Sequence, residues 1–162
     1  MEIERKYIAG NINYSNYPNY SIEQAYIAKN NGIKIRVRKV IKDNETKYTL
    51  TYKKKLKSDI NINTEYELDI DEDIYNQLKD KRYGNIINKT RYLIPFNNLV
   101  AELDIFHDKL EGLKLVEVEF KDHDSYKSFK KPIWFLSEVT DDKRFSNSNL
   151  VDIDSYKDIL NK

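Results

Sequence analysis

Residues 33–38 read Ile-Lys-Ile-Arg-Val-Arg, so apolar and cationic side chains alternate at every position. Side chains of an extended strand point alternately to its two faces, and this stretch therefore predicts a strand with one apolar face and one basic face. Residues 47–55 repeat the pattern, with tyrosine and leucine alternating with lysine and threonine. These two stretches predict a sheet that carries charge on one side.

Similar alternation in other parts of the chain gives eight candidate strands in all. They are residues 2–8, 22–28, 33–41, 47–55, 64–70, 89–94, 99–106 and 113–121. Asn30-Asn31-Gly32 and Asp43-Asn44-Glu45 separate successive strands and are typical turn sequences. The expected fold is a single α+β domain spanning residues 1–162, dominated by antiparallel strands.

Helical signals are fewer than strand signals. Residues 71–82 place Ile74, Tyr75 and Leu78 on one face of a helix, with acidic residues at the start. Residues 122–129 predict a short helix with Tyr126 and Phe129 inward, and residues 154–160 a terminal one.

Composition excludes several kinds of site. The 162 residues include no cysteine, so disulfides and thiolate metal sites are impossible, and two histidines cannot form a three-histidine site. Neither His107 nor His123 is assigned a role.

The net charge of +1 argues against a general nucleic-acid binder, and no stretch approaches the roughly eighteen apolar residues of a membrane span. The N-terminus lacks a signal-peptide pattern, and we expect a cytoplasmic protein whose oligomeric state the sequence leaves open.

Positive and negative charges are segregated between strands. Basic faces lie at residues 34–38, 47–55 and 89–91, and acidic faces at residues 2–4, 65–69, 102–104 and 117–119. A single charged face is explained by exposure to water. Like charges two positions apart on a strand lie about 7 Å apart, however, and a solvated surface normally mixes the two signs. Seven such faces in eight strands therefore predict a ligand that satisfies both cations and carboxylates.

A metal-bound polyphosphate is such a ligand. Its oxygens accept hydrogen bonds from Arg and Lys, and its hard counter-cation prefers carboxylate oxygens. Eight strands can close into a barrel whose interior accommodates one small ligand. We therefore expect an eight-stranded antiparallel closed β-barrel, a tunnel with a charged lumen, an apolar outer surface and covering helices, among them residues 71–82.

The motifs that carry these charges resemble the CYTH domain, or triphosphate tunnel metalloenzyme, family. In order along the chain they are Glu2-x-Glu4-x-Lys6, Arg36-Val37-Arg38, residues 48–53, Glu65-Tyr66-Glu67, residues 89–92, Glu102-x-Asp104, Glu117-Val118-Glu119 and residues 138–150. The matches run in the family's order across nearly the whole chain.

The resemblance implies roles for individual residues. Those that would hold phosphate oxygens are Lys6, Arg36, Arg38, Lys53, Lys89, Arg91 and Arg144. Those that would gather one or two Mg²⁺ or Mn²⁺ ions are Glu2, Glu4, Asp104, Glu117 and Glu119, with Glu67 and Glu102 as helpers. Tyr26 paired with Lys53 would tune activity. Asp141 stands where the family often has glycine, which leaves the closing loop and Lys143 without an assigned role.

Three functions stay open at this point. The first is a Mg²⁺- or Mn²⁺-dependent hydrolase of inorganic tripolyphosphate or nucleoside triphosphates, with thiamine triphosphatase as a narrower variant. The second is a class IV adenylate cyclase, and the third a non-catalytic module that binds polyphosphate or nucleotide. Because clustered carboxylates repel, we also expect that removing the charge of Glu117 leaves the metal-free protein at least as stable.

Overall fold

The structure is a computed structural model that describes residues 2–56 and 62–161. Nine strands follow one another along the chain. They are β1 (Glu2–Ala9), β2 (Asn19–Asn30), β3 (Ile33–Lys42), β4 (Glu45–Lys55), β5 (Ile62–Ile70), β6 (Tyr83–Phe96), β7 (Leu99–Phe106), β8 (Lys114–Phe120) and β9 (Phe135–Glu138). The first eight correspond to the eight predicted strands, several of them longer than predicted. The ninth was missed because four residues carry too short a pattern.

The eight long strands close into an antiparallel barrel in the order β5-β4-β3-β2-β6-β7-β8-β1. Strand β1 completes the closure because each of its edges has a partner. One edge pairs with β8, and the other pairs with β5 at Glu2 and Ile3 and with β9 at Tyr7 and Ala9. The closed antiparallel barrel predicted from the alternating pattern is confirmed.

Three hairpins are built on two-residue turns in which both central residues have positive φ. The turn pairs are Asn31-Gly32, Asp43-Asn44 and Asn97-Asn98, with φ between 43° and 78°. Asparagine, aspartate and glycine tolerate this conformation, and its twist matches that of the flanking strands. The register of the two hairpins that join β2, β3 and β4 therefore places inward-facing side chains of these strands side by side in the sheet.

Two helices lie on the outside of the barrel. Helix α1 (Glu72–Lys79) begins at Asp71, whose side chain accepts a hydrogen bond from the Ile74 amide at 2.8 Å. Its Tyr75 is buried against Ala25 and Val37 on the outer face of β2 and β3, so the predicted cover is present, although Ile74 is 43% exposed. Helix α2 (His123–Ser128) is capped by Asp122. Tyr126 of this helix and Phe129, which follows it, pack on Phe120 of β8, as predicted.

The predicted inversion of the usual soluble barrel is also present: apolar side chains cover its outside. The largest outer cluster joins Tyr7, Leu103, Val116 and Phe135 with the rings of α2. The outer face of β5 is the least covered, since Tyr66 and Leu68 are 66% and 62% exposed.

The segment that follows β9, here called the closing segment (residues 139–159), fills one end of the barrel. It contains a 3₁₀ turn (Lys143–Phe145) and the short helix α3 (Asn147–Leu150), and the final 3₁₀ turn (Tyr156–Asn161) replaces the predicted terminal α-helix. Phe145, Leu150 and Val151 pack on Ile87, Phe106 and Leu115 of β6, β7 and β8. This end of the barrel is therefore closed by side chains, and none of the helices in the described part of the chain is long and apolar enough to span a membrane.

Candidate active site

The barrel and the closing segment enclose a cavity of about 800 Å³. Most of the side chains predicted to act lie along it. They are Glu2, Glu4 and Lys6 of β1, Tyr26 of β2, Arg36 and Arg38 of β3, Lys53 of β4, Glu67 of β5, Arg91 of β6, Glu102 of β7, and Glu117 and Glu119 of β8. The alternation along each strand is the reason, because the charged side chains take the inner positions and the apolar ones the outer positions.

Strand register sets which side chains face one another. Lys6 is paired in the sheet with Glu117, and Glu117 is paired with Glu102 of the next strand. On the opposite side of the barrel, Tyr26 is paired with Arg36, and Arg36 with Thr51. The cavity therefore has an acidic wall, formed by Glu2, Glu4, Glu102, Glu117 and Glu119, and a basic strand, β3.

The two lysines next to the acidic wall are held by its carboxylates. Lys6 Nζ lies 3.1 Å from Glu117 Oε1, and Lys53 Nζ lies 3.0 Å from Glu2 Oε2 and 3.8 Å from Glu4 Oε1. Burial opposes the charge of Lys53, but Glu4 and Glu2 outweigh it and raise its pKa. Both ammonium groups therefore stay protonated at neutral pH.

A second group of charges is buried beneath the cavity around Asp104. Its carboxylate accepts hydrogen bonds from Lys89 Nζ at 2.6 Å and from Arg91 Nε and Nη2 at 2.7 and 2.9 Å. Arg91 also donates to Glu102. Burial alone would raise the pKa of Asp104, but Arg91 and Lys89 hold it below its ordinary value. The guanidinium group of Arg91 is therefore fixed in one orientation by its bidentate pair with Asp104.

The guanidinium groups of β3 lack a carboxylate partner at ion-pair distance in the described residues, although Tyr26 and Glu65 outweigh burial and raise the pKa of Arg36. Arg38 donates to the amide oxygen of Gln24 at 2.6 and 3.0 Å, and the buried Nε of Arg36 has no hydrogen-bond acceptor. Within the described residues neither group forms an ion pair. Burial, and then repulsion by Arg36 and Arg91, lowers the pKa of Arg38, yet arginine remains charged in proteins. Two partly buried cations that form no ion pair in the described residues favour an anionic ligand.

The acidic wall holds carboxylates with opposite pKa shifts. Burial, together with repulsion by Glu117 and Glu2, raises the pKa of Glu4 to about 7. Burial acts in the same direction on Glu117, but Lys6, Arg91 and Lys89 hold its pKa well below the usual range. Burial and the neighbouring Glu2 raise the pKa of Glu119. Burial and mutual repulsion thus disfavour the ionised forms of Glu4 and Glu119, and a cation bound at the wall would offset both effects.

The chemistry of the donor set fits a hard divalent cation. Glutamate oxygens from two adjacent strands, β1 and β8, converge on one wall, and Mg²⁺ and Mn²⁺ prefer such oxygen ligands. Within residues 2–56 and 62–161, however, no three acidic or histidine side chains already stand in the geometry of a metal site. The residue types are suitable, and their rotamers would adjust on binding.

Some of the predicted site residues do not line the cavity, and others line it without the expected contacts. Arg144 is not among the lining residues; it pairs with Asp142 at 2.6 Å and lies over the ring of Phe145. Lys89 and Asp104 are buried behind the lining, at relative exposures of 1% each. No hydrogen bond or ion pair joins Tyr26 to Lys53 in the described residues, and the Tyr26 ring lies instead near Tyr83, 6.3 Å between centroids. Glu67 does line the cavity, from an exposed position on its rim.

Other lining residues were not assigned from the sequence. Lys29, Lys34 and Lys55 line the cavity near the β2–β3 hairpin, and Lys143, Asn147 and Asn149 line it from the closing segment. Lys34 had a visible signal, because it belongs to the same alternating face as Arg36 and Arg38. The closing-segment residues fall within the motif at residues 138–150, but they lie on irregular backbone, where no alternating pattern specifies the direction of a side chain.

Comparisons with known proteins agree with this geometry. No family model matches the chain. The inorganic triphosphatase of Nitrosomonas europaea is 35% identical over 153 residues, which cover 92% of this chain and 95% of that protein. The inorganic triphosphatase of Acetivibrio thermocellus is also 35% identical over 153 residues, covering 93% and 92%. The chain belongs to the triphosphate tunnel metalloenzyme (CYTH) family.

A solved structure supports the same assignment. The crystal structure of the inorganic triphosphatase NE1496 superposes with a TM-score of 0.67 at 33% identity, over 94% of this chain and 95% of that one. Membership of the tunnel family explains why charged side chains occupy the inner positions of the barrel and apolar ones its outer surface.

Proposed function

We propose that this protein is a divalent-metal-dependent triphosphatase that hydrolyses a phosphoanhydride bond of inorganic tripolyphosphate within its cavity. The observation that carries the proposal is the state of Arg36 and Arg38, which line the cavity with an acidic wall, are partly buried and form no ion pair in the described residues. Two relatives at 35% identity that are named inorganic triphosphatases support this substrate class.

The basic residues would bind and orient the substrate. Arg36 and Arg38 donate to phosphate oxygens from β3, while Lys6 and Arg91 approach from β1 and β6. Since the pKa of Lys53 is raised, Lys53 acts as a fixed positive charge and not as a general base. Lys89 and Asp104 hold Arg91 in position from behind. In this proposal Asp104 is an anchor for Arg91 more than a metal ligand, because both of its oxygens already accept hydrogen bonds.

The acidic wall would supply the remaining chemistry. A divalent ion held by Glu2, Glu4, Glu117 and Glu119, with Glu67 and Glu102 as further candidates, would offset phosphate charge and polarise the attacking water. Water attacks a terminal phosphorus, the bond from that phosphorus to the bridging oxygen breaks, and pyrophosphate leaves. A wall carboxylate takes the proton of the water. The cations stabilise the charge spread over the transferred phosphoryl group, so catalysis is mainly positioning and electrostatics.

One assay tests this proposal. Purified protein is incubated separately with tripolyphosphate, ATP and thiamine triphosphate, each with Mg²⁺, with Mn²⁺ and with a chelator. We expect phosphate and pyrophosphate from tripolyphosphate, faster than turnover of ATP, and no turnover with chelator. Cyclic AMP as the main product from ATP would instead identify a cyclase. Tight binding of all three compounds without turnover would identify a non-catalytic binding module, and either result would overturn the proposal.

A further inference from the structure

Gln24 is a buried polar residue of β2 that has no part in the chemistry described so far. It has a relative exposure of 0%. In the sheet it is paired with Arg38 of β3, just as Tyr26, two residues later, is paired with Arg36. Gln24 therefore stands directly beside one of the two arginines that line the cavity without a carboxylate partner in the described residues.

The amide oxygen of Gln24 holds one edge of the Arg38 guanidinium group. Arg38 Nε and Nη2 donate to this single oxygen at 3.0 and 2.6 Å. Because both donors belong to one planar group, the two bonds restrict its orientation. Arg38 Nη1 forms no hydrogen bond within the part of the chain that the structure describes, so it can donate to a ligand in the cavity.

A neutral acceptor differs in its effect from a carboxylate. Asp104 orients Arg91 through two hydrogen bonds and also compensates its charge. Gln24 orients Arg38 in a similar way, but an amide carries no net charge. Burial, and then repulsion by Arg36 and Arg91, lowers the pKa of Arg38, which shows that its charge is not compensated. A phosphate oxygen in the cavity would therefore meet a cation that is oriented and still fully charged.

The hydrogen bonding of Gln24 is not the best possible for stability alone. Its Nε2 is buried and has no hydrogen-bond acceptor in the described residues. Turning the amide over would not help, since Nε2 would then face the two donors of Arg38. A buried donor without an acceptor destabilises the folded state, and its presence in a natural protein calls for an explanation. Orientation of Arg38 by the amide oxygen is such an explanation.

We propose that Gln24 is a positioning residue, which holds the guanidinium group of Arg38 toward the phosphate oxygens of the substrate without reducing its charge. Gln24 is not among the residues that line the cavity, so it acts through Arg38 and does not touch the substrate. The inference rests on the proposed function, because that function assigns Arg38 to the substrate.

Gln24→Met tests orientation. Methionine has a similar length and no strong acceptor, so Arg38 keeps its charge and loses its fixed orientation. We expect kcat for tripolyphosphate to fall about tenfold while KM changes less than about threefold, because an oriented charge matters most in the transition state. Gln77→Met is the matched control, since Gln77 lies at an exposed position on α1 and its substitution should leave both constants unchanged.

Gln24→Glu tests charge. The carboxylate still accepts hydrogen bonds from Arg38, but it compensates the positive charge that the substrate would otherwise meet. We expect tripolyphosphate to bind about tenfold more weakly in calorimetry with chelator, and the metal-free variant to melt at a higher temperature than wild type. Gln77→Glu should leave binding unchanged. A Gln24 that only filled space would instead lose stability in both variants and show no such division between kcat and binding.

A nuclear magnetic resonance measurement on the metal-free protein needs neither substrate nor turnover. The Nε–H signal of Arg38, identified by its loss in Arg38→Ala, should exchange slowly with solvent in wild type and Gln24→Glu, and about tenfold faster in Gln24→Met. Equal exchange in all three proteins would overturn the positioning role, as would unchanged kcat and binding in both variants of an active protein. If wild type hydrolyses no tripolyphosphate while the exchange difference and the weaker binding persist, the proposed function fails and the role of Gln24 stands.

Discussion

The ammonium nitrogen of Lys6 lies 3.1 Å from a carboxylate oxygen of Glu117, and the two side chains are 12% and 15% exposed. Lys6 Nζ also donates to the Phe145 carbonyl at 3.4 Å. This contact joins β1 and β8 to the closing segment across the floor of the cavity. Glu117 is therefore both a candidate metal ligand and the counter-ion of a buried lysine.

Glu117→Gln should lower the stability of the metal-free protein. Because the pKa of Glu117 is held below its ordinary value, its ionised form stabilises the fold at neutral pH, and this contribution is lost as the pH falls through that lowered pKa. We expect a loss of about 1–3 kcal/mol in the free energy of unfolding at pH 7. Urea titrations in chelator at several pH values measure it, and the difference should shrink in acid.

Glu119→Gln is the control for that experiment. Glu119 is exposed and forms no ion pair in the described residues, so its substitution should lower the free energy of unfolding less than Glu117→Gln does. Equal stability of Glu117→Gln and wild type at pH 7 would mean that the ion pair between Glu117 and Lys6 does not stabilise the metal-free protein. The outcome expected from sequence alone, an unchanged or increased stability, considered only repulsion among carboxylates and left out the attraction of Lys6.

Glu4→Gln should have the opposite effect on stability. The pKa of Glu4 is raised to about 7, so the folded metal-free protein binds a proton more tightly than the unfolded chain does. Its stability should consequently decrease as the pH rises from about 4.5 to 7. The variant lacks this decrease and should be the more stable protein at pH 8. Melting in chelator at pH 5 and pH 8, with Glu45→Gln as an exposed control, tests it, and identical pH profiles of variant and wild type would contradict it.

The sequence was sufficient to predict the barrel, but it was not sufficient to predict which charged side chains form ion pairs inside it. Alternation along each strand depends only on local spacing, so Lys34, Lys53 and Arg36 could all be placed on inner faces. Which of them has a counter-ion depends on β1, which comes near β4 only when β1 pairs with β5 and closes the barrel. Lys53 gains Glu2 and Glu4 by this closure in addition to Glu65 of β5, and Lys34 gains no carboxylate within the described residues.

Arg144 illustrates a different limit of sequence reasoning. It lies in a 3₁₀ turn, where its guanidinium reaches Asp142 two residues earlier at 2.6 Å. No periodic pattern specifies the direction of a side chain in such a turn. The cavity is lined here by Lys143 instead, for which the sequence supported no role.

Arg36→Ala and Arg38→Ala should each reduce tripolyphosphate hydrolysis strongly. Each removes a charge donor to the transition state, which is worth about 2–4 kcal/mol in kcat/KM. Neither has an ion pair in the described residues, so the metal-free variants should be as stable as wild type or more so. Steady-state kinetics and thermal melts measure the two effects, with Lys39→Ala as the outer-face control. Unchanged rates in both arginine variants would exclude the basic strand from the site.

Gly84→Ala should loosen the closing segment. Gly84 has φ of +67°, and an added Cβ would lie 2.6 Å from the Val151 carbonyl oxygen, next to the hydrogen bond from the Asn85 amide to that oxygen at 2.7 Å. Gly32 offers a matched control, since its φ is +78° but nothing lies within 4 Å of an added Cβ. Gly32→Ala should cost about 1 kcal/mol of backbone strain alone, and Gly84→Ala about 1–2 kcal/mol more because the close contact adds to it.

Hydrogen exchange distinguishes the two glycine variants. In Gly84→Ala the amides of Asn85 and of the closing segment should exchange faster than in wild type, because their hydrogen bonds are displaced by the new methyl group. The same amides should keep their protection in Gly32→Ala, whose site lies in the β2–β3 turn. Equal losses of stability in both variants would show that Val151 moves away from the methyl group without a further decrease in the free energy of unfolding. The close approach of β6 would then have no part in holding the closing segment over the end of the barrel.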